Sequence, residues 1–98
     1  MMRRKCERIR IGKIVYPIIR VVRILFRGRE CDGLFCPKEQ EIKMRSGVSD
    51  DRAFEVKWHE ALHAIEHQHC IELTERVVGI LTNGICDILR SNTHMRRG

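Results

Sequence analysis

The segment His59-Glu60-Ala61-Leu62-His63 most constrains how this chain folds, because a helix would bring its two histidines to one face, where they could act together. Residues four apart on an α-helix lie one above the other, so His59 and His63 project from the same side. Two imidazoles held in this way can bind one Zn²⁺ and leave positions for a third ligand and a water. Glu60, about 100° further round the helix, can reach a metal-bound water as a general base. The pattern predicts a helix that carries a hydrolytic zinc site.

The residues around this pattern favour a helix over about 50–67. Ser49 is the predicted N-cap, and Asp50 and Asp51 would lie in the first turn, where the helix dipole favours negative charge. The apolar residues that recur at helical spacing, and that we expect to face the core, are Phe54, Trp58, Leu62 and Ile65.

A second helix is predicted over about 74–91, after a break at 68–73. Thr74 is its expected N-cap. The apolar residues predicted to form its core stripe are Val77, Val78, Leu81, Ile85, Ile88 and Leu89.

The first half of the chain predicts strands. Residues 8–26 are rich in Ile and Val, and Gly12-Lys13 can turn a short strand into a longer one. Pro17 in that second strand favours an edge position or a bulge. Asp32-Gly33 predicts a turn before Leu34-Phe35-Cys36.

A further strand is predicted over 41–45, where Ile42 and Met44 share one face, and Ser46-Gly47 would end it. This strand is the candidate for aligning an extended substrate by edge pairing.

Strands followed by two helices predict an α+β fold, with a small, mostly antiparallel N-terminal sheet packed on the H-E-x-x-H helix and a second C-terminal helix. Ninety-eight residues predict one domain, 1–98, with 1–7 and 93–98 as flexible tails.

Charge is unevenly distributed along the chain. The net charge is +6, and residues 1–29 contain ten Lys and Arg but one acidic residue. This basic third favours a solvated strand face, with contact to nucleic acid or a host protein as the alternative.

No apolar run reaches the roughly 20 residues of a membrane span. The N-terminus lacks the apolar core of a signal peptide, and the five cysteines are an odd number, so we expect reduced thiols and a cytoplasmic protein.

The third metal ligand has several candidates. His69 lies ten residues after His59, as in the longer H-E-x-x-H-x-x-G-x-x-H signature, but Glu66 stands where that signature has glycine. Glu75 would lie in the first turn of the second helix, near the first helix if the two pack antiparallel. Glu75 is the preferred ligand on this reasoning, with Glu72 and His69 as alternatives.

Six stretches within residues 8–92 follow the pattern of a known family. They are Lys13-x-x-Tyr16, Asp32-Gly33-Leu34-Phe35, Gln40-Glu41-Ile42-Lys43-Met44, Trp58-His59-Glu60-Ala61-Leu62-His63-Ala64-Ile65, Leu73-Thr74-Glu75-Arg76-Val77-Val78 and Leu81-x-x-Gly84-Ile85. With them the chain resembles the small phage-type minimal zincins, which are related to the ImmA/IrrE metallopeptidases. The resemblance implies a zincin-like fold, a glutamate ligand at Glu75 and a location in the host cytoplasm if the protein is phage-encoded.

Two functions follow as expectations. The first is a zinc-dependent metallopeptidase that hydrolyses a protein or peptide substrate, with His59, His63 and Glu75 on the metal and Glu60 as general base. The second is a non-catalytic zinc-containing binding module whose basic N-terminal third contacts nucleic acid or a host protein.

Overall fold

The computed structural model describes residues 7–92 and contains strands followed by two helices. The elements, in chain order, are β1 (Glu7–Ile11), β2 (Ile14–Val21), β3 (Ile24–Phe26), β4 (Arg29–Cys31), β5 (Gly33–Cys36), β6 (Glu41–Arg45), α1 (Asp50–His69) and α2 (Glu75–Ser91). The predicted α+β fold class is confirmed.

Four strands form the main sheet, in the order β1-β2-β6-β5. The pairs β1–β2 and β5–β6 are antiparallel, whereas β2 and β6 run parallel. The sheet is therefore mixed. The strands β3 and β4 form a separate antiparallel hairpin, which the sequence did not lead us to expect.

Pro17 lies on an inner strand, so the predicted edge position for its strand is wrong. The strand β2 pairs with β1 at Pro17, which faces Arg8, but its pairing with β6 begins only at Ile18. Pro17 has no N–H to donate, and this is tolerated because the residue precedes the hydrogen-bonded pairing of β2 with β6.

The predicted turn at Asp32-Gly33 is also wrong, because Asp32 forms only a bend and Gly33 already begins β5. The tight turn that joins β5 to β6 lies at 37–40 and places Gln40 at a φ of 53°. Strand β6 is paired on both sides, whereas β1 and β5 are the two edge strands. The assignment of 41–45 as a substrate-aligning edge is therefore corrected, since that position belongs to β5.

Both helix N-caps are as predicted. The Ser49 hydroxyl accepts a hydrogen bond from the backbone N–H of Arg52, and the Thr74 hydroxyl accepts one from that of Val77. Helix α1 ends at His69, two residues later than expected, with Cys70 in the left-handed region at a φ of 53°.

The face of α1 that packs on the sheet is made of small residues. The buried positions of α1 are Ala53, Val56, Glu60, Ala61 and Ala64. Large sheet side chains, among them Tyr16, Ile42 and Met44, fill the space that these small residues leave. The predicted core stripe was therefore wrong: Phe54, Trp58 and Leu62 are half-buried and Ile65 is exposed.

Helix α2 buries Val78, Thr82 and Cys86. Of the predicted stripe, Val78 is buried and Ile85 and Leu89 are half-buried, but Val77, Leu81 and Ile88 are exposed. The predicted core stripe of α2 included too many positions, because only one side of the helix packs against a neighbour in the described part of the chain.

The expected tails fall mostly outside the described residues, which leave out 1–6 and 93–98, but Glu7 belongs to β1. Neither α1 nor α2 is long and apolar enough to cross a membrane. The four cysteines within residues 7–92 are free thiols, and Cys6 lies outside that range.

Candidate metal centre

His59 and His63 of α1 face Glu75, the first residue of α2. Nε2 of His63 lies 2.6 Å from one carboxylate oxygen of Glu75, and Nε2 of His59 lies 3.2 Å from the other. The two imidazole rings stand edge to face, with their centroids 5.1 Å apart. Three side chains that the sequence analysis proposed as ligands therefore meet at one point.

The packing of the two helices explains why Glu75 reaches this point. At the far end of α2, Arg90 donates to the Glu55 side chain and to the carbonyl of Asp51 near the start of α1. The helices therefore pack antiparallel, as expected, and the beginning of α2 lies beside the second half of α1. Thr74 caps α2 and so fixes Glu75 in its first turn.

These three residues could hold a metal ion. Their ligand atoms all lie within 4.8 Å of one another. The side chains of His59 and His63 are 27% and 23% exposed, and that of Glu75 is 74% exposed. The group is shielded on the histidine side and open on the glutamate side. Such a site can accept a further ligand from solvent.

The alternative third ligands do not join the group. Within residues 7–92, the potential ligands that converge are His59, His63 and Glu75, without His69 or Glu72. His69 is the last residue of α1 and Glu72 follows in the connection to α2, and both are exposed.

Glu66 contacts the candidate ligand His63, a contact that was not predicted from the sequence. One of its carboxylate oxygens lies 2.8 Å from Nδ1 of His63, and the other accepts a hydrogen bond of 2.7 Å from the backbone N–H of Leu73. This N–H, with His63 as a smaller contribution, lowers the pKa of the Glu66 carboxyl. A carboxylate on Nδ1 orients the ring and leaves Nε2 for a metal. The available signal was the spacing, since Glu66 follows His63 by three residues on the same side of the helix.

Glu60 points from α1 toward the sheet and is 7% exposed. Its carboxylate accepts a hydrogen bond of 2.9 Å from the backbone N–H of Phe35 in β5. Burial raises the pKa of the Glu60 carboxyl, while nearby His59 and His63 and the N–H of Phe35 act in the opposite direction. A raised pKa makes a carboxylate a better proton acceptor.

Gly33 permits the close approach of β5 to α1 at Glu60. A Cβ at this position would clash with Cγ1 of Val56 and lie 3.2 Å from Cγ of Glu60. The glycine is therefore required by packing, rather than by the turn that the sequence suggested.

A cleft of about 450 Å³ lies beside this group of side chains. It is lined by the β4–β5 segment on one side and by α1 and α2 on the other, and His59, Glu60 and Glu75 all border it. At its rim, Asp32 accepts hydrogen bonds from Arg52 (2.9 Å) and Arg45 (3.0 Å). These guanidinium groups, Arg52 first, hold the pKa of the Asp32 carboxyl below its ordinary value.

The chain matches no protein family, no curated protein and no solved structure with which it was compared.

Proposed function

We propose that this protein is a zinc-dependent peptide hydrolase of the zincin type. The observation that carries the proposal is the convergence of His59, His63 and Glu75 at one edge of a cleft that Glu60 also lines. Two imidazoles and one carboxylate form the ligand set of many catalytic zinc sites.

The spacing of the donors fits zinc with a small adjustment. Tetrahedral ligands at about 2.0–2.1 Å from Zn²⁺ lie about 3.4 Å from each other. The contacts of Glu75 with His59 and His63 are 3.2 Å and 2.6 Å, which are hydrogen-bond distances. Moving the exposed Glu75 side chain outward by less than about 1 Å opens both contacts to that spacing, so these residues fit the ion.

A Zn²⁺ ion held there would supply Lewis acidity, lowering the pKa of a water ligand and polarising a carbonyl group. Glu60 supplies the base: its carboxylate takes a proton and later returns it to the leaving amine. The hydrogen bond from Phe35 uses one carboxylate oxygen and fixes the orientation of the other. Because the backbone of β5 holds it, Glu60 does not depend on the metal for its position.

The edge strand β5 supports binding of an extended peptide. It lies next to α1, and Gly33 borders the cleft. Strand addition at a sheet edge lets the main chain of a substrate be held with little dependence on its sequence. We infer that the substrate is a protein or peptide segment in an extended conformation.

The test is zinc content and peptidase activity of the purified protein, measured together. We expect one zinc per chain by elemental analysis and hydrolysis of an unfolded protein such as casein, which chelation abolishes. His59→Ala, His63→Ala and Glu75→Ala should each lose zinc, whereas the matched control His69→Ala should retain it. A wild-type protein that is folded and metal-free after dialysis against zinc would overturn the proposal.

Binding of an acidic partner is a second candidate function, favoured by the outer face of β1. Arg8 and Arg10 are both exposed there, and Lys13 in the following turn is exposed as well. Phosphate binding through such residues weakens steeply with salt. DNA retention that falls with salt and is lost in an Arg8→Ala/Arg10→Ala variant, in a protein that has zinc but no hydrolysis, would favour this role.

A further inference from the structure

Helix α2 presents a second apolar surface that faces away from α1. We call it the outer face; its members are Val77, Ile80, Leu81, Gly84 and Ile88. The four large side chains are 37%, 57%, 42% and 50% exposed in that order. At about 100° per residue these positions fall in a stripe roughly 100° wide, opposite buried Thr82. A stripe of this width is what a helix needs to pack against another helix.

Gly84 lies in the middle of the outer face, where nothing within the described chain accounts for it. A Cβ there would meet no atom within 4 Å, and the residue lies inside a helix, where glycine is less favourable than alanine. A missing side chain between Ile80 and Ile88 allows a second backbone to approach closely.

Two opposite charges flank the same side of the outer face. Arg76 and Asp87 are both exposed, and no ion pair recorded within residues 7–92 includes either one. By helical geometry they lie within about 20° of each other around the helix axis but three turns apart along it. This placement matches an antiparallel copy of the same helix, in which each Arg76 meets an Asp87.

We propose that two copies of this chain associate through the outer faces of their α2 helices, antiparallel about a two-fold axis. In one register, Ile80 packs over Gly84 of the partner subunit and Val77 packs against Ile88 of the partner subunit. The same register brings Arg76 beside Asp87 of the partner subunit, and symmetry repeats each contact. A parallel two-fold pairing would instead place the charges of the two copies on opposite sides of the interface, where Arg76 could not meet Asp87 of the partner subunit.

The interface leaves the candidate metal centre free. Glu75 lies on the side of α2 that faces α1, where it contacts His59 and His63. Association and metal binding are therefore independent, and the failure of one proposal does not affect the other.

The test is the mass in solution as a function of protein concentration, by sedimentation equilibrium. A single helix pair is smaller than a standard interface of about 1,200–2,000 Å², so we expect dimers at concentrations of about 10 µM to 1 mM. Ile80→Glu should raise the dissociation constant more than about a hundredfold, because it places a charge at the centre of the interface. The matched control is Val22→Glu, at a position that is 86% exposed and outside α2.

A charge exchange tests the orientation. Arg76→Asp and Asp87→Arg should each weaken association about tenfold, and the double variant should restore it. Circular dichroism establishes that each variant is folded. A wild-type monomer over the whole range, a dimer that survives Ile80→Glu, or a double variant that stays weaker than either single variant would overturn the proposal.

Discussion

Nδ1 of His63 lies 2.8 Å from a carboxylate oxygen of Glu66, one turn further along the same helix. The other oxygen of Glu66 accepts the backbone N–H of Leu73, which leads into α2. Glu66 therefore orients the ring of His63, one proposed ligand. It also holds the segment that leads into α2, the helix that supplies Glu75. Loss of this carboxylate should disturb both.

Glu66→Ala should weaken zinc binding about 10- to 100-fold, because His63 loses the group that orients its ring. Competition with a chromophoric chelator measures the affinity. Glu72→Ala is the matched control, since Glu72 is exposed and lies outside the ligand group. Equal affinities in the wild type and Glu66→Ala would show that the contact does not support the metal.

Glu60→Gln should retain full zinc content and lose about 10²- to 10⁴-fold in the rate of peptide hydrolysis. The amide oxygen of the new side chain can still accept from Phe35, but the side chain cannot take a proton. Zinc stoichiometry and turnover are measured on the same sample, with Glu39→Gln in the exposed β5–β6 turn as the control. Unchanged turnover in the Glu60→Gln variant would remove Glu60 from the mechanism.

Gly33→Ala should lower the free energy of unfolding by about 1–3 kcal/mol, since the added methyl group pushes β5 away from Val56 and Glu60. Chemical denaturation measures the change. The same substitution at Gly79, where a Cβ meets no atom within 4 Å, should instead stabilise α2 by about 0.5–1 kcal/mol. A Gly33→Ala protein as stable as the wild type would contradict the close approach of β5 to α1.

The Asp32 carboxylate should contribute stability that is lost in acid. Its pKa in the folded protein is lowered by Arg52 and Arg45, so its contribution is present above its ordinary pKa of 3.8 and disappears as the pH falls through the lowered value. We expect the wild type to lose up to about 1 kcal/mol more than Asp32→Asn between pH 5 and pH 2, a small amount because the side chain is 29% exposed. Denaturation midpoints across this pH range measure the difference, and parallel curves for the two proteins would contradict it.

The local features of this fold could be predicted from the sequence because each depends on a few neighbouring residues. Ser49 and Thr74 cap their helices through hydrogen bonds over three residues. His59 and His63 share one side of α1 because of the helical period alone. The approach of Glu75 required only that two helices joined by a short connection pack antiparallel.

The features that depend on distant partners could not be predicted in this way. Phe54 and Trp58 are more apolar than Ala53 and Ala64, yet the alanines face the sheet, because its large side chains need a close, flat helix surface. Hydropathy measures transfer from water and does not record the volume that the opposite layer leaves free. For the same reason, the sequence suggested a turn at Gly33, because neighbouring residues do not show that β5 packs closely against α1.

The proposed ligands come from α1 and α2 only, and His59 and Glu75 are 16 residues apart in the chain. A metal bound there would connect α1 to α2 and would have no ligand from the sheet. Chelation should therefore increase amide hydrogen exchange first in α2, while the strands packed on α1 remain protected. In this protein the ion would stabilise the packing of α2, in the last quarter of the chain, against α1. The rest of the fold would persist without it.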